Sequence, residues 1–100
     1  MNKEIIIEFD QNKNKYLKEW RGVNFDDVLW CSSNGYIRDI IPHHNQEMYP
    51  GQRIMLIEIN EYIYQVPYRQ DGSKITLMTV FPSRKFTKMY LKEKLEENDE

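Results

Sequence analysis

The sequence predicts a single α+β domain: a small antiparallel β-sheet meander with two N-terminal helices and one C-terminal helix, in the order β-α-α-β-β-β-β-α. A chain of 100 residues has room for one hydrophobic core. Three strand-like segments separated by tight turns occupy residues 53–81, and apolar residues recur at helical spacing in two earlier segments and one later one. We expect residues 1–95 to form the domain and residues 96–100 to form a frayed acidic tail.

Strand and helix signals alternate in the first third of the chain. The run 5–9 predicts the first strand, with Ile5, Ile7 and Phe9 on one face. Asp10 is a suitable N-cap for a first helix that ends at Gly22. Asn24 is a suitable N-cap for a second helix, which ends near Gly35.

The remainder of the chain predicts a meander followed by a helix. Asn60-Glu61 predicts a two-residue hairpin, since asparagine tolerates the positive φ that such turns require. Pro82 is suited to the first turn of a last helix, which we expect to run to about Leu95. We expect the helices to cover one face of the meander. The four strands of this part of the chain are predicted over residues 36–41, 53–59, 62–68 and 74–81.

The net charge of −2 conceals an uneven distribution. Residues 74–92 contain five basic side chains and no acidic ones, whereas residues 93–100 contain five acidic and one basic. On a helix, Lys85, Lys88 and Lys92 form one stripe, and Arg84 lies within reach of Lys88. A local basic stripe can bind phosphates even on an acidic protein, because salt screens distant charges. The ordinary interpretation of such a stripe is a solvated helix face.

Several classes of protein are excluded by what the sequence lacks. Cys31 is the single cysteine, so no intramolecular disulfide forms and a reducing compartment is indicated. The longest unbroken apolar runs have four residues, too short for a membrane span or a signal peptide. These features predict a cytoplasmic protein.

Familiar cofactor and metal motifs are also missing. None of the four glycines begins a phosphate-binding loop, and the serine-hydrolase nucleophile elbow does not occur. His43 and His44 should diverge in an extended segment, and with one cysteine they do not make a structural zinc site. We therefore expect neither a cofactor nor a metal.

The remaining polar residues suit RNA chemistry. Cleavage of a phosphodiester by its own 2′-hydroxyl needs a base, a cation for the developing charge and an acid for the leaving oxygen. His43 can act as base or acid, Arg84 can bind a phosphate through two hydrogen bonds, and Lys88 adds a point charge. Tyr49 can stack on an unpaired base or donate a proton. An interaction domain without catalysis fits the same composition.

Short motifs along most of the chain resemble a known family. The opening resembles the BrnT family of bacterial toxins, and the later segments are similar to one of its subgroups. The likeness covers residues 5–92. The motifs that carry it are Phe9-Asp10-x-x-Lys13, Arg21-Gly22-Val23-x-Phe25-Asp26-Asp27-Val28, Asp39-Ile40-x-x-His43-x-Asn45-Gln46-x-x-Tyr49-Pro50-x-Gln52, Tyr62-x-x-x-Val66-Pro67-Tyr68 and Thr79-x-x-Pro82-Ser83-Arg84-Lys85-x-Thr87-Lys88-x-Tyr90.

The resemblance implies a fold like that of the RelE-like ribonuclease toxins of type II toxin–antitoxin modules. It also implies a metal-independent endoribonuclease that blocks translation. A small ribbon-helix-helix DNA-binding antitoxin would neutralise this toxin, and the complex would bind operator DNA through the antitoxin.

A catalytic hypothesis follows from this resemblance and the residue chemistry together. Arg84 would stabilise the transition state, His43 would act as general acid or base, and Tyr49 would stack or donate a proton. Lys88 is the fourth predicted catalytic residue, and the predicted RNA-binding cations are Lys13, Arg53 and Lys85. The hypothesis requires cations from both ends of the chain to meet on one surface beside His43.

Two alternatives remain open at the level of sequence. The chain is a catalytically inactive toxin homologue that acts only through its antitoxin partner, or it is a sheet-based binder of single-stranded RNA. In the second case Tyr62, Tyr64 and Tyr68 would form a stacking face. Burial of these tyrosines under helices would exclude that face.

Overall fold

The computed structural model describes residues 4–91 and confirms the α+β class. The acidic tail predicted for residues 96–100 lies outside this range, and so does Leu95, the predicted end of the last helix. None of the helices in residues 4–91 is long and apolar enough to cross a membrane. The elements, in chain order, are β1 (Ile6–Glu8), α1 (Gln11–Trp20), α2 (Phe25–Ser33), β2 (Ile37–Pro42), β3 (Arg53–Ile59), β4 (Tyr62–Asp71), β5 (Lys74–Leu77), β6 (Phe81–Pro82) and α3 (Arg84–Tyr90).

The strands form one mixed sheet in the order β1-β5-β4-β3-β2, and β6 pairs with β4. The meander from β2 to β5 is antiparallel as predicted. The sheet departs from the predicted wholly antiparallel arrangement at one edge. There β1 pairs with β5 in parallel, with Ile7 opposite Ile75. A parallel pair needs a long connection, and the two helices and three strands between β1 and β5 supply it.

Helix boundaries follow the predicted caps at the first two helices. Asp10 accepts a hydrogen bond from the Lys13 N–H at the start of α1. Asn24 and Asp27 form a reciprocal capping box at the start of α2. The third helix differs from the prediction, since Pro82 lies in β6 and the N-cap is Ser83, whose hydroxyl accepts from the Phe86 N–H.

The turns of the meander mostly agree with the prediction. Asn60 and Glu61 both have positive φ (53° and 62°), which is the conformation of a two-residue hairpin. Gly72 (φ 62°) occupies the next turn, and β4 continues to Asp71. The strand predicted over residues 74–81 ends at Leu77 as β5. The chain pairs with β4 again only at β6.

Both faces of the central strand β3 are buried. On one face, called here the first face, Met55 and Ile57 join the core beneath α1 and α2. On the second face, Ile54 and Leu56 join a separate core with Phe86 of α3. The expectation that all helices cover one face is therefore wrong. A strand that is apolar on both faces needs a cover on each, and α3 supplies the second.

Candidate active site

The loop between β2 and β3 is held by its own side chains. The backbone N–H of His43 donates to the Gln52 carbonyl (3.0 Å). The side-chain amide of Gln46 donates to the carbonyls of His43 (2.9 Å) and Gln52 (3.2 Å). The Asn45 N–H donates to Nδ1 of His43 (3.0 Å). Because Nδ1 is the acceptor, Nε2 carries the proton of the neutral His43 ring.

Four rings and one ammonium group form a continuous series of neighbours from this loop to α3, here called the His43 cluster. The ring centroids of Tyr49 and His43 are 4.5 Å apart, and those of His43 and His44 are 6.1 Å apart. His44 stacks on Phe86 at 6.5 Å with an interplanar angle of 12°, and Nζ of Lys85 lies 5.6 Å from the Phe86 centroid. The two imidazoles, expected to diverge, instead lie edge to face.

The sheet and α3 fix the second imidazole. Nε2 of His44 lies 3.2 Å from Oε1 of Gln65 on β4. The His44 tautomer with its proton on Nε2 donates to this amide oxygen and leaves a lone pair on Nδ1. Nearby, the Tyr90 hydroxyl donates to Oδ2 of Asp39 (2.8 Å), joining α3 to β2. This hydrogen bond raises the pKa of Tyr90, with desolvation and the charge of Asp39 adding to the effect.

A further cation lies on the same face of the sheet. Side chains alternate along a strand, so Arg69 shares the second face with Gln65 and Ile63. An open groove of about 440 Å³ adjoins Arg69 and the loop residues Pro50 and Gly51. Asp71 and Lys74 also line this groove, and Arg69 lies four residues, about 13 Å, beyond Gln65 along β4.

Two of the predicted RNA-binding cations lie on the other side of the sheet. Lys13 is on α1, whose Leu17 packs into the core of the first face. Arg53 alternates with Ile54 on β3 and therefore projects to the first face with Met55. The structure does not bring Lys13 together with α3, because the sheet separates them.

The cations of α3 are divided between two flanks of the helix. Residues two positions apart point in nearly opposite directions on an α-helix. Arg84 and Lys88 are each two positions from Phe86, so they project away from the side that meets His44. Of the three predicted cations on α3, Lys85 is the one whose contact with the His43 cluster is defined.

The proposed tyrosine stacking face is wrong. Tyr68 is buried (3% exposed) in the core beneath α1 and α2, and Tyr64 packs against that core. Tyr62 is half-buried, with its ring edge toward Tyr64 at 6.0 Å. Bases cannot stack on a face that helices already cover, so this alternative is excluded.

The chain matches no protein-family model, no curated protein and no solved structure.

Sequence reasoning missed His44 and Arg69. The signal for Arg69 was its alternation with Tyr68: once Tyr68 is assigned to the core, Arg69 must lie on the opposite face. The signal for His44 was weaker, since loop conformation rather than periodicity directs its ring toward Phe86.

The arrangement combines a proton donor, a proton acceptor and one cation, Lys85. Nε2 of His43 donates, Nδ1 of His44 accepts, and the Tyr49 hydroxyl can do either. Lys85 supplies positive charge for an anion near these groups, and Arg69 lies farther along the same face of the sheet. The residues suit acid–base chemistry on a phosphodiester.

Proposed function

We propose that this protein is the toxin of a type II toxin–antitoxin module, a metal-independent endoribonuclease. The observation that carries the proposal is the His43 cluster, in which two imidazoles of fixed orientation lie between a tyrosine and a lysine. The likeness of the sequence motifs to the BrnT family supports it, and so does the α+β architecture with two N-terminal helices and one C-terminal helix.

The proposed reaction is transfer of the phosphoryl group to the neighbouring 2′-oxygen. Nδ1 of His44 takes the proton of the 2′-hydroxyl as its oxygen attacks phosphorus. The bond from phosphorus to the 5′-oxygen breaks, and the Tyr49 hydroxyl gives its proton to that oxygen. The products are a 2′,3′-cyclic phosphate and a 5′-hydroxyl, and proton transfer through water from His44 restores Tyr49.

The cations and His43 stabilise charge in this proposal. Nε2–H of His43 donates to a non-bridging phosphate oxygen, since the Asn45 N–H keeps Nδ1 in the acceptor role. Lys85 offsets the negative charge that develops on the phosphorane, and Arg69 binds the RNA strand farther along the same face of the sheet. Arg84 and Lys88 lie on the other flank of α3 and contribute to binding of the RNA strand away from the reacting phosphate.

The proposed partner is a small ribbon-helix-helix antitoxin that neutralises the enzyme in the cytoplasm. Operator DNA would be bound only through that antitoxin. No cofactor enters the proposed reaction.

The test is cleavage of an end-labelled RNA oligonucleotide by the purified protein in EDTA. We expect products ending in a 2′,3′-cyclic phosphate. We also expect His43→Ala and His44→Ala to lower the rate by ~10² or more, with thermal melts that show both variants folded. The matched control substrate carries a 2′-deoxynucleotide at the cleaved position and should remain intact.

Cleavage of the 2′-deoxy substrate, or a strict requirement for added Mg²⁺, would contradict the proposed reaction. Wild-type protein that cleaves neither free RNA nor ribosome-bound mRNA would favour the inactive homologue instead.

A further inference from the structure

A second concave surface lies on the first face of the sheet, where β3 begins and β4 ends. We call it the Arg53 pocket, and its volume is about 290 Å³. Arg53 and Tyr68 are directly opposite each other in the pairing of β3 with β4, so their side chains project next to each other from the same face. The residues that line the pocket are Gly51, Arg53, Tyr68, Gln70 and Gly72.

The charge of the Arg53 pocket is positive. Arg53 is exposed, and within residues 4–91 its guanidinium forms neither an ion pair nor a hydrogen bond. None of the side chains that line the pocket is a carboxylate. Asp71 alternates with Gln70 along β4 and lines the groove of the second face instead. The guanidinium is therefore free to bind an anion.

The hydroxyl of Tyr68 supplies a second polar group. Tyr68 is 3% exposed, because its ring packs into the core of the first face. In the described part of the chain this hydroxyl makes no hydrogen bond, and no buried side-chain oxygen there lacks a partner. The hydroxyl must therefore reach solvent, and the pocket that Tyr68 lines gives it that access. Because the ring is already fixed by packing, its O–H can donate to a ligand with little further loss of side-chain entropy.

The rim of the Arg53 pocket is formed by backbone whose polar groups are in use. The Gly51 N–H donates to Oε1 of Gln46 (3.2 Å), and the Gln70 amide donates to the Gly72 carbonyl (3.1 Å). Neither glycine brings a side chain to the rim, so the pocket stays open to solvent. A ligand is therefore recognised mainly by the guanidinium and the phenol.

We propose that the Arg53 pocket binds a phosphomonoester group. The guanidinium donates two parallel hydrogen bonds to two oxygens of the ligand, and the Tyr68 O–H donates to a third. A carboxylate has two oxygens and an internal phosphodiester has two non-bridging oxygens, whereas a phosphomonoester has three terminal ones. Inorganic phosphate, a nucleotide and the 5′-terminal phosphate of an RNA strand share this chemistry. The proposal does not rest on ribonuclease activity, because the group is bound and not cleaved, on the opposite face of the sheet from the His43 cluster.

The first arm of the test titrates the full chain with inorganic phosphate at constant ionic strength. NMR follows the backbone amide signals of Gln70 and Gly72, and we expect them to shift to saturation. Arg53→Gln removes the charge, and Tyr68→Phe removes the hydroxyl but keeps the buried ring. We expect each variant to weaken binding by about tenfold or more, because each loses a hydrogen bond to a charged ligand. Thermal melts check that both variants are folded.

The second arm identifies the source of the phosphate. It compares two oligodeoxynucleotides of one sequence, one with a 5′-phosphate and one with a 5′-hydroxyl; neither has the 2′-hydroxyl that the proposed cleavage needs. Tighter binding of the phosphorylated strand, lost in Arg53→Gln, would support the site and identify a strand end as its ligand. Saturable binding of inorganic phosphate without that preference would support the site and identify a small phosphate compound.

The chain offers matched controls on the same side of the sheet. Arg21 follows α1 and is exposed, and Tyr16 on α1 is 51% exposed. Arg21→Gln and Tyr16→Phe should leave binding of phosphate unchanged. Equal weakening by Arg21→Gln and Arg53→Gln, unchanged binding in Tyr68→Phe, or no saturable shift up to about 20 mM phosphate would overturn the proposal. Equally tight binding of acetate would also overturn it, since an anion with two oxygens would then suffice.

Discussion

At the scale of single residues, position relative to Phe86 decides which cations of α3 can act with the imidazoles. The sequence presents Arg84, Lys85 and Lys88 as one basic stripe, and charge alone does not distinguish them. Phe86 is buried and meets His44, so its direction defines the side of α3 that faces the loop. Lys85 lies over the Phe86 ring, whereas the other two cations project from the opposite flank.

Because these side chains point in different directions, we expect substitutions on α3 to differ in their effect on RNA cleavage. We expect Lys85→Ala to lower the rate of RNA cleavage by ~10², because the variant loses a positive group near the phosphate. Arg84→Ala and Lys88→Ala serve as matched controls on the same helix, and we expect each to change the single-turnover rate by less than about fivefold. The measurement is single-turnover cleavage under saturating protein.

The reverse pattern, in which Arg84→Ala abolishes cleavage and Lys85→Ala does not, would restore the arrangement predicted from sequence. It would mean that the RNA backbone crosses α3 on the flank away from His44.

At the scale of elements, the corner between α1 and α2 depends on one buried amide. Asn14 is 4% exposed, and its Oδ1 accepts from the Phe25 N–H (2.8 Å) at the start of α2. Its Nδ2 donates to the Asp26 carboxylate (3.3 Å), which also forms an ion pair with Lys18. The Lys18 hydrogen bond lowers the pKa of Asp26. The Asn14 side chain therefore links the two helices through both of its polar atoms.

We expect Asn14→Ala to lower the free energy of unfolding by about 1–3 kcal/mol, because the buried Phe25 N–H loses its acceptor. Urea denaturation monitored by circular dichroism measures the change. Asn12→Ala removes an exposed asparagine from the same helix and should change stability by no more than about 0.5 kcal/mol. Equal effects of the two variants would show that helix propensity, and not the buried hydrogen bonds, governs this corner.

The positions of helices and turns were predictable from the sequence wherever they depend on residues close together in the chain. Asp10 and Asn24 cap the first two helices, and Asn60-Glu61 forms the hairpin, because each effect involves atoms a few residues apart. Pro82 was misassigned because a proline fits both the first turn of a helix and a short edge pairing. Ser83, one residue later, supplies the cap oxygen that proline lacks.

At the scale of the whole molecule, the sequence of β3 indicates that both faces of the sheet are covered. It does not indicate which face each helix covers. The run Ile54–Ile57 is apolar at four consecutive positions, which is typical of a strand buried on both faces. The sequence does not reveal which helix covers which face, because α1 and α3 are both amphipathic. The location of Lys13 relative to Arg84 was therefore beyond prediction, and so was the composition of the candidate site.

Thr87 ties the second layer to the sheet and offers a test of this packing. It is fully buried, and its hydroxyl accepts from the Ile63 N–H (2.9 Å) and donates to the Ser83 carbonyl (2.6 Å). Thr87→Val keeps the shape but leaves the Ile63 N–H without its acceptor, so we expect a loss of about 1–3 kcal/mol in urea unfolding. Thr87→Ser keeps both hydrogen bonds and removes one methyl group, at a cost of about 0.8 kcal/mol. Since Thr87 holds α3 against the second face, Thr87→Val should raise hydrogen exchange at the Ile63 amide before it raises exchange on the first face. A valine variant as stable as the serine variant would show that apolar contacts alone hold α3 in place.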